Sequence, residues 1–269
     1  MQCEKIISFF WGNNKMSWLR YLTIYSFCKY NPDWKVVLYV SDQKINSKAW
    51  KTPEIQDFFY YSGEDYTKDI IKLGVEIREY DVKTKEGNEI SPSQKSNFFK
   101  WNLLATSGGF YADMDILFLR NINEIYNKTK EFNIGITYTN YYSIGFMFSN
   151  GNNPFFKEVY NECYNKFYVD NYQGAGVARL RKWPDIVNIV ARYGLVYNIP
   201  FRLLYKYSSE IVPKIHEIGS NYKMDPDSIG LHWYAGHHLS QEANNTINEK
   251  NYKEKNTLLN RTIKKIMED

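Results

Sequence analysis

A chain of 269 residues, 43% hydrophobic and 24% charged, carries enough apolar material for one sizeable α/β domain and too much for a disordered protein. Its net charge of +4 is spread along the chain and not gathered in a block, which argues against a nucleic-acid partner. No run approaches the roughly 18 apolar residues of a membrane span, and the apolar stretch 6–11 is too short for a secretory leader.

Cys3, Cys28 and Cys163 form neither a disulfide framework nor a zinc spacing, so a soluble, cytoplasmic protein in a reducing compartment is expected. The aromatic share of 17% includes 24 tyrosines and 7 tryptophans, side chains whose apolar faces and polar tips suit sugars and nucleobases.

Residues 6–10 read as a buried strand that stops at the loop signal Trp11-Gly12-Asn13-Asn14. Ser17 caps a helix running to about Tyr30, with Leu19, Leu22, Ile24 and Phe27 on one face, and Asn31-Pro32-Asp33 ends it. A second continuous apolar strand covers 36–40. Strand, helix and double-faced strand make a βαβ unit, which points to a parallel sheet covered by helices. The stretch 43–72 reads as helical or irregular, 75–80 as a short strand and 83–92 as a polar loop. A helix over 93–106 is stopped by Gly108-Gly109.

Strands follow at 134–138 and 144–148, then a helix over 154–168 and the small-residue loop Gln173-Gly174-Ala175-Gly176. Beyond it come a helical stretch to about Tyr193 and a short strand near 196–199. The segment after Asn244 is polar and basic, with a surface helix expected at 258–267. Neither an internal repeat nor a linker divides the sequence.

The sharpest feature is Gly108-Gly109-Phe110-Tyr111-Ala112-Asp113-Met114-Asp115. Two carboxylates at i and i+2 on an extended strand face the same way, leaving Met114 for the core. Hard oxygen donors at this spacing suit Mg²⁺ or Mn²⁺, which keep waters and bind a substrate diphosphate. A bare Asp-x-Asp is usually a solvated loop or a helix cap. Here a helix, a Gly-Gly stop, an aromatic and the pair occur in one string, and an apolar run follows at 116–119. His232, His237 and His238 cluster beside Trp233, away from the fourth histidine, His216, and such a cluster suits metal ligation in a chain with an aspartate pair. The glycines at 174 and 176 serve either close backbone approach to a ligand or an ordinary turn. Trp11 either stacks on a nucleobase or packs at a strand end.

The segment resembles the central block of DXD glycosyltransferases of the family 32 type, related to the catalytic domains of large clostridial glucosylating toxins. Their block runs Ser-Asp-x-x-Arg, three residues, Leu, three residues, Gly-Gly-x-Tyr-x-Asp-x-Asp. This chain supplies Ser96, Leu104, Gly108, Gly109, Tyr111, Asp113 and Asp115 in register, with Asn97 in place of Asp and Lys100 in place of Arg. Asn97 keeps hydrogen-bonding capacity without charge, and Lys100 keeps charge without the bidentate fork. The resemblance extends to the Trp-Gly loop at Trp11-Gly12 and to Asn31-Pro32-Asp33-Trp34. It also reaches Leu231-His232-Trp233-Tyr234-Ala235-Gly236, after which His237-His238 replaces the usual Ser-Trp.

The resemblance implies a GT-A-like fold, a mixed and mostly parallel sheet with helices on both faces. Residues 1–269 would form one domain, with about 5–238 as the catalytic core and 239–269 as a polar tail or helix. It implies a metal-dependent, retaining hexosyltransferase that uses a nucleotide-sugar donor, UDP-sugar favoured over GDP-sugar, with Mn²⁺ or Mg²⁺ as cofactor and an acceptor hydroxyl left unspecified. Asp113, Asp115 and His232 are the expected metal ligands, the two aspartates being also the catalytic residues. Phe10, Trp11, Gly12, Asn97, Lys100, Tyr111, Asp113, Gln173 and Gly174 are expected at the donor. Two other readings are an inactive nucleotide-sugar or glycan-binding module with the same fold, and a metal-dependent phosphohydrolase.

Overall fold

In the computed structural model, residues 2–12, 14–41, 61–82, 90–166 and 174–269 are described. Part of the expected 43–72 region, most of the polar loop at 83–92, the end of the helix toward Tyr168, and Gln173 lie outside them.

The opening follows the expected alternation. Strand β1 (Ile6–Trp11) leads to helix α1 (Trp18–Tyr30), whose N-cap Ser17 accepts the Arg20 amide, and then to β2 (Lys35–Ser41). A short α2 (Thr67–Ile71) precedes β3 (Glu76–Tyr80). Helix α3 (Pro92–Ala105) starts one residue earlier than expected, because Ser91 and Gln94 form a reciprocal capping box ahead of Pro92. It is followed by β4 (Gly109–Ala112), β5 (Ile116–Phe118) and α4 (Asn123–Lys128).

Next come β6 (Ile134–Tyr138), β7 (Tyr142–Ser149) and α5 (Pro154–Asn165). The helical stretch expected up to Tyr193 is broken at Pro184 into a 3₁₀ segment, Val177–Lys182, and α6 (Ile186–Tyr193). The chain closes with β8 (Val196–Asn198), α7 (Pro213–His216), β9 (Gly230–His232), α8 (His238–Thr246) and α9 (Leu258–Glu268).

Among the described residues, seven strands form one sheet in the order β3-β2-β1-β4-β7-β6-β8. Only the β7 pairings, with β4 and β6, are antiparallel. The sheet is therefore mixed and mostly parallel, as expected. Alternation along the strands splits the core in two. Ile7, Phe9, Phe110, Ala112, Phe146 and Phe148 face α1, while Phe10, Tyr111 and Met147 face α3 and α5. Helices cover both faces.

Beside this sheet, β5 and β9 pair as an antiparallel ribbon with Ile116 opposite His232. Leu117, Leu231 and Trp233 join Trp18, Leu19 and Leu22 of α1 in a third core. The C-terminal helix expected at 258–267 forms, but it is not a surface appendage. Leu258, Leu259, Ile263 and Ile266 recur at helical spacing and are buried in that third core. Among the described residues no helix is long and apolar enough to cross a membrane, and the three cysteines are free.

Ile263 is fully buried, so Ile263→Ala is expected to cost about 2–5 kcal/mol through lost burial and the cavity left behind. Lys265→Ala, on the exposed side of the same helix, should stay within about 0.5 kcal/mol. Urea unfolding of the two variants measures the difference.

Candidate active site

The aspartate pair lies just beyond the carboxyl end of β4, not within a strand. Strand β4 ends at Ala112; the Asp113 amide makes one more contact across the sheet, to the Gly145 carbonyl at 2.7 Å, and residues 114–115 turn. The reversal lets the chain leave the large sheet and enter β5. Met114 is buried in the core as expected, and the carboxylates converge through the turn instead of through strand alternation.

Each carboxylate is held by one oxygen. Asp113 Oδ1 accepts the Lys100 ammonium at 2.9 Å and the Tyr111 hydroxyl at 2.6 Å, and Tyr111 is itself in contact with the Ser96 hydroxyl at 2.7 Å. Asp115 Oδ2 accepts the Ala235 amide at 2.9 Å, and the Trp233 amide binds the Asp115 carbonyl at 3.0 Å. Its Oδ1 lies 3.2 Å from His232 Nε2. Burial pushes the Asp115 carboxyl up, but His232, the Arg20 charge and the Ala235 amide outweigh it and hold the group well below the usual carboxylate range.

His232 is placed by β9. Its amide binds the Leu204 carbonyl at 3.1 Å, and its ring packs edge-on to Tyr234, with centroids 4.1 Å apart. Tyr234 sits at φ +51°, a left-handed conformation that costs a bulky residue on the order of 1–3 kcal/mol.

One ligand atom each from Asp113, Asp115 and His232 lies within 4.8 Å of the others. Whether these residues fit a cation is tested by Gly145. A Cβ built there would stand 3.1 Å from Asp113 Oδ2, 3.3 Å from His232 Nε2 and 3.0 Å from the Tyr205 hydroxyl. The side-chain-free backbone of β7 thus keeps open the space these groups face. Carboxylate oxygens with one imidazole form a donor set suited to Mn²⁺ or Mg²⁺. The residues fit.

Other expected site residues fall differently. Phe10 does not line an open site, because its ring is buried on the α3 side of the sheet and stacks on Phe99 at 5.2 Å. Tyr111 is likewise buried, its hydroxyl engaged by Asp113, so it holds the site from behind. Asn97 and Lys100 are both buried on α3, and Lys100 is drawn to Asp113 and to the Ile144 carbonyl at 3.3 Å. Trp11 is half-buried, its indole N–H bound to the Asn14 carbonyl at 2.7 Å and its ring 5.6 Å from the Arg20 guanidinium. Gly12 is buried beside it. Gly174 lies in the turn whose Ala175 carbonyl accepts the Trp101 indole at 2.7 Å, and Gln173 lies outside the described residues.

His237 and His238 are not with His232. They stack on each other at 4.3 Å at the start of α8, where His237 caps the helix. His216 packs nearby, bound to Ser240 at 2.9 Å. The sequence reading missed Gly145 and Tyr205, neither of which carries a motif, and gave no separate role to Tyr234 within the segment 231–236.

Residues 19–132 match the family described as glycosyltransferase sugar-binding region containing DXD motif. The match covers less than half of the chain and includes α1, α3 and both aspartates. No curated protein matches the chain. Among solved structures, the PaToxG glycosyltransferase is 15% identical with a TM-score of 0.44, over 99% of this chain and 86% of that one. The galactosyltransferase LgtC is 14% identical with a TM-score of 0.45, over 91% and 98%. The glycosyltransferase GlyE of Streptococcus pneumoniae TIGR4 is 8% identical with a TM-score of 0.48, over 100% and 62%.

Gly145→Ala removes no ligand yet fills the shared space, so it is expected to abolish any rise in melting temperature produced by Mn²⁺. A wild-type Mn²⁺ response in that variant would place the cation elsewhere. A second expectation concerns pH. Burial first, then His237, His238 and Lys255, hold folded His216 down to about 4. The unfolded chain takes up that proton near pH 6.5, so it binds more protons between the two values and stability falls as pH drops from about 6.5 toward 4. His216→Gln, melted across this range in EDTA, should lose part of that slope.

Proposed function

We propose that this chain, whose residues 19–132 match a DXD-containing glycosyltransferase region, is a glycosyltransferase that moves a hexose from a nucleotide-diphosphate sugar to an acceptor hydroxyl in a metal-dependent reaction. The observation that carries the reading is the convergence of Asp113, Asp115 and His232 on the space kept open by Gly145. It lies past the carboxyl end of β4, the side of an open α/β sheet where ligands bind.

Asp113 Oδ2, Asp115 Oδ1 and His232 Nε2 are the atoms that would hold the cation, since the opposite oxygens are already engaged. A bound Mn²⁺ or Mg²⁺ supplies Lewis acidity that offsets the charge growing on the leaving diphosphate. Lys100 fixes the direction of Asp113 and adds positive charge beneath the site, a role that needs a point charge and not a bidentate fork. The Lys100 ammonium also stands 4.7 Å from the Tyr111 ring centre, which steadies it further. Asn97, where the resembling family has Asp, would offer a bound donor sugar both a hydrogen-bond donor and an acceptor.

UDP is favoured over GDP, and retention of configuration is expected, both on the family resemblance. An oxocarbenium-like sugar must meet an acceptor hydroxyl and not water, so product formation that depends on an acceptor distinguishes transfer from hydrolysis.

UDP with Mn²⁺ should raise the melting temperature more than either alone, because both bind the native state. Asp113→Asn and Asp115→Asn should each remove that synergy and lower turnover by about a hundredfold or more, since Lewis-acid stabilisation is worth several kcal/mol. Equal shifts in EDTA, or activity above about a tenth of wild type in both variants, would defeat the metal role.

A further inference from the structure

Tyr205 shares the space around Gly145 without belonging to any motif. It follows the 3₁₀ turn Phe201–Leu203, and its amide binds the Phe201 carbonyl at 2.8 Å. The same segment is stitched to β9: the Ile229 amide binds the Leu203 carbonyl at 2.9 Å, and the His232 amide binds the Leu204 carbonyl at 3.1 Å. The Tyr205 ring, 2% exposed, lies between Phe201 and His232 with centroid distances of 5.7 and 5.2 Å. Its position is therefore as fixed as that of His232.

The hydroxyl points at the same spot as Asp113 Oδ2 and His232 Nε2, 3.0 Å from a Cβ built on Gly145. Among the described residues its O–H finds no acceptor in hydrogen-bond geometry, and the polar contact it has, with the Phe146 backbone, favours the oxygen and not the proton. A phenol keeps its proton at neutral pH without help from its surroundings. A buried O–H without an acceptor costs about 1–3 kcal/mol, and a cation offers it no acceptor. A neutral phenol is a poor ligand beside two carboxylates but a good donor to an anionic oxygen. The ligand that completes this corner must bring such an oxygen to the aspartate pair.

We infer that Tyr205 is a further substrate-contacting residue, its hydroxyl donating a hydrogen bond to a phosphate oxygen of the nucleoside diphosphate anchored at Asp113, Asp115 and His232; this rests on the donor site proposed above. The phenol reads the anion, while the carboxylates and imidazole read the cation.

Tyr205→Phe separates the two. Without ligand its melting temperature should equal or exceed that of wild type, because the change deletes an unsatisfied polar atom and keeps the ring. Its Mn²⁺ titration should agree with wild type within about twofold. Its affinity for UDP at saturating Mn²⁺, or for GDP if wild type prefers GDP, should fall about 10- to 100-fold, as for a lost hydrogen bond to a charged group. Unchanged diphosphate affinity overturns the proposal. So does loss of Mn²⁺ binding, which would make Tyr205 a ligand or a prop for His232. A wild-type protein that binds no diphosphate with Mn²⁺ overturns the donor site itself, an outcome visible before the variant is made.

Discussion

A carboxylate taken out of bulk water needs its charge answered, and two of them side by side repel as well. The fold answers this by giving one oxygen of each aspartate to the protein. Lys100 and Tyr111 take Asp113 Oδ1, and the Ala235 amide takes Asp115 Oδ2. The other oxygens, Asp113 Oδ2 and Asp115 Oδ1, then face a common point with His232, which already contacts Asp115 Oδ1. Much of the surrounding architecture exists to deliver these partners: α3 brings Lys100 and Ser96, β4 brings Tyr111, and the turn after β9 brings Ala235. Ser96 extends the arrangement one step by contacting the Tyr111 hydroxyl, so that no polar group in the relay is left without a partner.

Placement of the partners depends on two sheets joined by one short turn. β4 belongs to the large sheet, and β5 belongs to the ribbon with β9. The three residues between them are the aspartate pair and Met114, which is buried and anchors the turn to the core. Across the gap, β7 contributes Gly145, where a Cβ would crowd the groups facing it. Tyr234 accepts an unfavourable backbone so that the chain can turn out of β9 and present the Ala235 amide to Asp115.

The elements that the sequence made legible are those with strong local signals. Ser17 caps its helix, Pro32 lies just past α1, and the apolar strands carry their own periodicity, whereas the Ser91 capping box that starts α3 went unread. Asp113, Asp115 and His232 were legible because their residue types and register are rare together. What was not legible depends on distant contacts. Strand alternation suggested that the pair shares a strand face, whereas the convergence comes from a turn forced by the change of sheet. The heights of Phe10 and Tyr111 in the sheet were readable, but not that their rings point away from open space. Tyr205 is one of 24 tyrosines, and nothing near it marks its hydroxyl as turned toward the aspartates. The apolar spacing in α9 gave the helix, but its burial depends on Trp18 and Trp233, far away in sequence.

The ribbon of β5 and β9 also sets an order of events during synthesis. The contact between Asp115 and the Ala235 amide spans 120 residues, and His232 comes from the same late segment. Closing so long a loop is an entropic cost met only when α1, β5 and β9 can share their core. A nascent chain that has reached β7 holds both aspartates, Lys100 and Gly145, yet lacks the imidazole and the amide that answer Asp115. The candidate site is complete only once the C-terminal third has docked, so its assembly depends on contacts far apart in sequence.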